Sequence, residues 1–82
     1  NEGVSLVVNC QNQDEIDFFW NQFTSDGGSE SMCGWCKDKF GVSWQIIPNN
    51  IAEIMNDKDH GPIAMQAMLK MKKLDVAALL NA

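Results

Sequence analysis

The stretch that decides the fold is CGWCKDKFGVSWQIIP, residues 33–48. A short apolar segment leads into a polar reversal at residues 37–41. Residues 42–47 follow, rich in β-branched and aromatic residues, and they end at Pro48, which cannot donate a hydrogen bond to a sheet. This pattern predicts a β-hairpin.

Side chains alternate along the second strand of this hairpin, so its two faces differ in chemistry. One face is wholly apolar, and the other carries two polar residues. The apolar face comprises Val42, Trp44 and Ile46, and the mixed face comprises Ser43, Gln45 and Ile47. We expect a helix to cover the apolar face and a ligand to bind on the mixed face, where Gln45 is the most chemically capable residue.

The segment VSLVVNC, residues 4–10, predicts an earlier strand with the same division between its faces. Its apolar face comprises Leu6, Val8 and Cys10, and its mixed face comprises Ser5, Val7 and Asn9. Because the two strands share this division, we place them in one sheet.

A helix is predicted next, over residues 13–24. Asn12 followed by Glu15 resembles a capping box, and Gly27 and Gly28 end the helix. An apolar stripe with helical spacing runs through Ile16, Phe19, Trp20 and Phe23. We expect this stripe to lie on the sheet face formed by Leu6, Val8, Trp44 and Ile46.

Residues 30–37 predict one or two further short strands, so the order of elements is βαβββ. After Pro48 the pattern becomes helical, with Asn50 capping a turn over residues 51–55, Pro62 starting a helix to about Lys73, and Asp75 capping a last turn through Leu80. We predict an α+β fold in which residues 1–48 form a βαβββ module and residues 49–82 form a helical extension of the same domain.

Length and charge narrow the function classes. The 82 residues carry a net charge of -5 with only six basic residues, which disfavours nucleic-acid binding. No stretch of 18 apolar residues is present, and no leader pattern is found, so we expect a soluble, cytoplasmic protein. A chain this short often needs a partner. It also begins without Met, so we expect missing upstream residues or a longer parent protein.

Cysteine and histidine give weaker signals. Cys33 and Cys36 form a C-x-x-C pair, for which reduced structural thiols, redox chemistry and metal binding are all open. We favour reduced thiols, because positions three apart in a strand face opposite sides. Zinc would need both Cys10 and His60 as further ligands, and their positions do not match a known zinc-ligand spacing.

We expect His60 to be a solvated loop residue. The helix containing Met65, Met68 and Met71 is expected to be buried against the sheet or a second subunit.

Three runs give the sequence a recognisable likeness: SLVVNCQNQDEIDFFW, MCGWCKDKFGVSWQIIP and MQAMLKMKKLDVAALL. They resemble the C-terminal half of PhnB-like proteins, which carry the 3-demethylubiquinone 3-methyltransferase label within the glyoxalase, bleomycin-resistance and vicinal oxygen chelate superfamily. The resemblance covers nearly the whole chain. It implies a preceding first βαβββ module, a half-open barrel around a metal or small-molecule site, and completion of that site across a dimer.

The resemblance also locates the site residues. Metal ligands of that superfamily come from the first and last strands of each module, and those places hold Ser5 and Gln45 here instead of histidine and carboxylate. We therefore expect no metal ligands in this chain and no cofactor. The turn at Asp38 and Gly41 matches a structural turn of the superfamily. No glycine-rich strand-to-helix loop for S-adenosylmethionine is present, since Gly27 and Gly28 follow a helix.

Two functions follow as hypotheses. The first is a small-molecule-binding module without a complete metal site, whose partner is a second βαβββ module from a missing N-terminal half or a homodimer mate. Its predicted ligand-binding residues are Ser5, Asn9, Trp35, Ser43 and Gln45, with Trp35 stacking and the others forming hydrogen bonds. The alternative is an enzyme, either a metal-dependent lyase or dioxygenase or the labelled methyltransferase.

Overall fold

The computed structural model describes residues 5–82 and shows an α+β fold, as predicted. Within this range, four strands and four helices follow the order βαβββ and then ααα. The elements are β1 (Ser5–Cys10), α1 (Gln13–Thr24), β2 (Ser29–Glu30), β3 (Trp35–Lys37), β4 (Ser43–Pro48), α2 (Ile51–Asn56), α3 (Gly61–Met68) and α4 (Val76–Leu80). Val4, which was assigned to the first strand, lies outside the described residues.

The strands form one mixed sheet in the order β1-β4-β3-β2. β1 runs parallel to β4 because α1 carries the chain back across the sheet, and the later strands pair antiparallel. The Cα of Leu6 lies opposite that of Trp44, and the Cα of Val7 lies opposite that of Gln45. The predicted common faces of the two long strands are confirmed.

Helix α1 begins and ends where the sequence predicts. The Asn12 side chain accepts a hydrogen bond from the Glu15 N–H at 3.0 Å. The Glu15 carboxylate accepts from the N–H of Gln11 at 2.8 Å, one residue earlier than an ideal capping box requires. Ser25 caps the end of α1, and the reversal follows at Asp26 and Gly27, which both have positive φ.

A first core fills the space between α1 and the sheet. Its buried members come from β1, α1, β3 and β4, and the predicted stripe of α1 lies within it or against it. The buried residues are Cys10, Ile16, Trp20, Cys36 and Ile46, and the half-buried residues packed on them include Val8, Phe19, Phe23 and Trp44. Leu6, expected in this core, is 44% exposed because it lies on the edge strand.

A second core lies among the C-terminal helices. Ile54, Ala64, Met68, Leu74 and Leu79 are its buried members. Ile47 of β4 and Cys33 also pack against it, so the helical segment covers one end of the sheet face opposite α1. Ile47 is therefore covered, whereas Val7 on the same face is 52% exposed.

Helix α3 is shorter and less buried than predicted. It ends at Met68 rather than near Lys73, because the chain leaves the helix through a turn at residues 69–70, after which the Met71 and Lys72 carbonyls accept from the N–H groups of Cys33 and Gly34. Those two bonds measure 2.7 and 2.8 Å. Only one side of α3 is buried, through Gly61, Ala64 and Met68, whereas Ile63, Met65 and Leu69 are exposed.

Candidate functional site

Strand register brings the predicted ligand-binding residues onto one side of the sheet. Val8, Cys36 and Ile46 point into the first core, so their strand neighbours point away from α1. The Cα of Trp35 lies opposite that of Gln45, and that of Lys37 lies opposite that of Ser43. We call this surface the open face, formed by Val7, Asn9, Trp35, Lys37, Ser43 and Gln45.

The five predicted residues occupy this surface as follows. Trp35, Ser43 and Gln45 are half-buried, and Asn9 is exposed near the end covered by the second core. Ser5 lies at the start of β1 with its Cα opposite that of Ser43, and its side chain lies outside the described part of the structure. Trp35 therefore lies on the same side of the sheet as Gln45, while the ligand-binding role of all five residues stays a prediction.

Gln45 occupies the centre of the open face, between Val7 of β1 and Trp35 of β3. Its Nε2 donates to the Cys33 carbonyl at 3.3 Å, which orients the amide. A ligand that approaches between Trp35 and Val7 therefore meets a fixed carboxamide beside an indole and an apolar side chain. Such a combination of apolar contact with a few oriented polar groups is typical of small-molecule sites.

Sequence reasoning missed Lys37 on this surface. Period-2 alternation in β3 contains the signal, because Trp35 and Lys37 flank the buried Cys36. The prediction of a polar reversal starting at residue 37 placed this lysine in the turn instead of in the strand. The structure ends β3 at Lys37 and begins the turn at Asp38, whose N–H donates to the Val42 carbonyl at 3.0 Å.

Asp38 anchors the hairpin and faces the α1 side. Its carboxylate accepts hydrogen bonds from the Trp44 indole at 2.8 Å and from the N–H groups of Phe40 and Val42. These bonds, with the Trp44 bond contributing most, lower the pKa of Asp38 below its usual value. Asp38 therefore has a structural role in the hairpin turn.

The cysteines divide between the two sides of the sheet. Cys36 is buried in the first core, and burial, reinforced by the charges of Asp38 and Glu30, raises the pKa of its thiol to about 11. Burial, with the charge of Glu15, also raises the pKa of Cys10. Cys33 packs against the second core instead, so the two thiols lie on opposite sides of the sheet, as predicted. The reason differs from strand alternation, because Cys33 precedes β3 in a turn and has φ +59°. Raised pKa values disfavour thiolate chemistry at Cys10 and Cys36.

His60 has a structural contact rather than the solvated position expected. It is half-buried, and its Nε2 lies 2.9 Å from the Leu79 carbonyl, to which it donates. It also lines a cavity of about 330 Å³ among the C-terminal helices. The other lining residues are Asn50, Glu53, Ile54, Asp57 and Leu80.

A second cavity, of about 320 Å³, lies between the end of α1 and the tip of the β3–β4 hairpin, where Phe23, Lys39 and Phe40 contribute to its wall. Neither cavity includes an open-face residue.

Within residues 5–82, no group of three or more histidine, cysteine or acidic side chains is arranged to hold a metal ion. No helix in that same range is long and apolar enough to span a membrane.

The fold and its open face define a small α+β protein built on a βαβββ sheet. The family model described as 3-demethylubiquinone-9 3-methyltransferase matches residues 1–47, more than half of the chain. The chain belongs to this family. A comparison with curated proteins found no match. The family label in the sequence resemblance is thus confirmed, and placement in the glyoxalase superfamily stays a prediction.

Proposed function

We propose that this chain is a PhnB-like module of the vicinal oxygen chelate type that binds a small molecule on the open face without a complete metal site of its own. The observation that carries the proposal is the strand register, which gathers the predicted Ser5, Asn9, Trp35, Ser43 and Gln45 positions on one side of the sheet. The family membership and the βαβββ order also support it.

The chemistry of the open face favours a flat organic molecule. Trp35 offers an indole for stacking, and Val7, on the other side of Gln45, offers a 52% exposed aliphatic surface. Ser43, Gln45 and Asn9 provide donors and acceptors around this apolar centre. Ser5 and Gln45 are weak ligands for divalent metals, so binding through ring contact and hydrogen bonds accounts for the residues better than chelation does.

The proposed partner is a second βαβββ module, from an N-terminal half or from another copy of this chain. β1 is an edge strand of the described sheet, and it contains no charged residue or proline that would discourage pairing. Exposed Leu6 and Val7 lie on its two faces. Sedimentation that shows a folded, stable monomer of 9.2 kDa would contradict the need for a partner.

A direct test uses two bicyclic aromatic probes, neutral 2-naphthamide and anionic 2-naphthoate. We expect at least one probe to shift the backbone amide resonances of β3 and β4 at millimolar concentration, and Trp35→Leu to abolish the shifts. Phe18→Leu is the matched control, because Phe18 is an exposed aromatic on α1 at the other side of the sheet. If neither probe shifts β3 or β4, the proposed site is wrong.

Titration calorimetry separates this proposal from the enzyme alternative. S-adenosylmethionine should give no binding heat with the chain, whereas saturable heat would support the methyltransferase activity in the family description. The Gln45→Glu variant tests whether the open face is a metal site that lacks one carboxylate ligand. Zn²⁺ should not raise the melting temperature of that variant, because Ser5 supplies no strong second ligand. A clear Zn²⁺-dependent rise, absent from the unmodified protein, would favour a metal-dependent function.

A further inference from the structure

Lys37 places a single positive charge on the open face. It is the last residue of β3, its Cα lies opposite that of Ser43, and it is exposed. Trp35 is two residues away on the same side of the same strand, and that spacing corresponds to about 6.6 Å along a strand. An indole and an ammonium group are therefore available to one small ligand at the same time.

The charge around Lys37 contrasts with the rest of the chain. The protein has 11 acidic and 6 basic residues, but none of the open-face positions is acidic. Two carboxylates of the neighbouring strand and turn are engaged on the α1 side, where Glu30 accepts from the Trp20 indole and Asp38 accepts from the Trp44 indole, each at 2.8 Å. Lys37 is thus the one charged residue among the six that form the open face.

Two of the other lysines form ion pairs, whereas Lys37, like Lys58, Lys70 and Lys72, forms none within residues 5–82. Lys39 pairs with Asp26 at 3.5 Å, and Lys73 pairs with Asp17 at 2.8 Å. An unpaired ammonium beside half-buried polar groups attracts an anion, since a charge-assisted hydrogen bond to a carboxylate is stronger than a neutral one.

We propose that the open face selects planar aromatic monocarboxylates, with Lys37 as the residue that recognises the carboxylate; this inference rests on the proposed small-molecule function. The ring stacks on Trp35, the carboxylate meets Lys37 Nζ, and the Ser43 hydroxyl and Gln45 amide lie alongside to complete its hydrogen bonds. One lysine matches one negative charge, so a monoanion suits the site better than a phosphate dianion.

The test compares 2-naphthoate with 2-naphthamide, which share a ring system and differ in charge. We expect the unmodified protein to bind the carboxylate roughly three- to tenfold more tightly than the amide, the range set by exposed and partly buried charged contacts. Lys37→Met should remove this preference, and Lys37→Arg should retain most of it. Raising the salt concentration to 1 M should also reduce the preference, because it shortens the screening length to about 3 Å.

Lys39→Met is the matched control, because it makes the same change in net charge in the same hairpin but at the Asp26 pair. It should leave the carboxylate preference unchanged. If both probes bind β3 and β4 equally and Lys37→Met alters neither affinity, the charge inference is wrong while the proposed function stands. If neither probe binds there, both fail. Equal losses from Lys37→Met and Lys39→Met would show a general charge effect and would also overturn the role of Lys37.

Discussion

The two faces of the sheet have similar strand patterns but different surroundings. On the α1 face, Cys10, Cys36 and Ile46 are completely or almost completely buried. On the opposite face, Ile47 packs against the second core, whereas Val7 remains half exposed. The comparison teaches that alternation determines which residues share a face but does not determine what covers that face.

The difference arises from the covering elements. Helix α1 follows β1 directly and presents its apolar stripe along the sheet. The C-terminal segment reaches the other face only at one end, where the Met71 and Lys72 carbonyls accept from Cys33 and Gly34. The remaining surface is the open face, on which the proposed function depends.

The largest expected effect comes from the fully covered face. Ile46→Ala should lower the free energy of unfolding by about 2–5 kcal/mol, because it leaves a cavity in the first core. Val7→Ala, on the open face, should change it by no more than about 0.5 kcal/mol. Urea denaturation followed by circular dichroism measures both. If Ile46→Ala does not fold, Ile46→Val should still cost about 0.5–1.5 kcal/mol. Equal costs at positions 46 and 7 would contradict the comparison.

The next largest loss of stability is expected at Gly34, where the C-terminal segment packs against the sheet. Gly34 has φ +83°, and an added Cβ would lie 2.9 Å from the Ile46 carbonyl oxygen and 3.2 Å from the Leu74 side chain. Gly34→Ala should therefore destabilise the protein by about 2–4 kcal/mol, from backbone strain and overpacking together.

Gly41→Ala is the control for that substitution. Gly41 has φ +84° with nothing within 4 Å of an added Cβ, so only backbone strain of about 1–2 kcal/mol is expected. Thermal melts of the two variants, recorded together, isolate the steric contribution. A Gly34→Ala variant no less stable than Gly41→Ala would show that the segment can move away at little cost.

Gln13 of α1 links that helix to the C-terminal segment, and its replacement should lower stability by a smaller amount. Its Nε2 donates to the Leu74 carbonyl at 2.9 Å, and its Oε1 accepts from the Val76 N–H at 2.8 Å. Gln13→Ala should cost about 1–2 kcal/mol and speed hydrogen exchange at the Val76 amide. Gln22→Ala, at an exposed position of α1, should leave both unchanged. Unaltered exchange at Val76 in Gln13→Ala would show that this link does not hold the segment.

Alkylation of the cysteines compares the two faces of the sheet in the protein without any substitution. At pH 8 we expect iodoacetamide to modify Cys33 first, because it is half-buried on the second-core side. Cys36, whose pKa is raised to about 11 by burial, and buried Cys10 should react only after unfolding. Mass spectrometry of timed samples identifies the modified residue. Modification of Cys36 as fast as Cys33 would mean that the α1 face opens readily.

Much of the fold could be predicted from local patterns. The bounds of α1, the common face of Leu6 and Trp44, and the Asp75 cap of α4, whose carboxylate accepts from the Ala78 N–H at 3.0 Å, all depend on contacts between nearby residues or on strand periodicity. The early end of α3 could not be predicted, because the carbonyls that leave the helix bond to residues almost forty positions earlier in the chain.

The candidate site divides in the same way. Alternation alone assigned Gln45 and Ser43 to a face away from α1, because side-chain direction in a strand is a local property. Only the tertiary structure decided that Trp35 and Lys37 join them, since the bend at Gly34 and the pairing of β3 with β4 set their side of the sheet. The tertiary structure also decided that Ile47 is covered and Val7 is not, because the path of the C-terminal segment depends on hydrogen bonds between residues far apart in sequence.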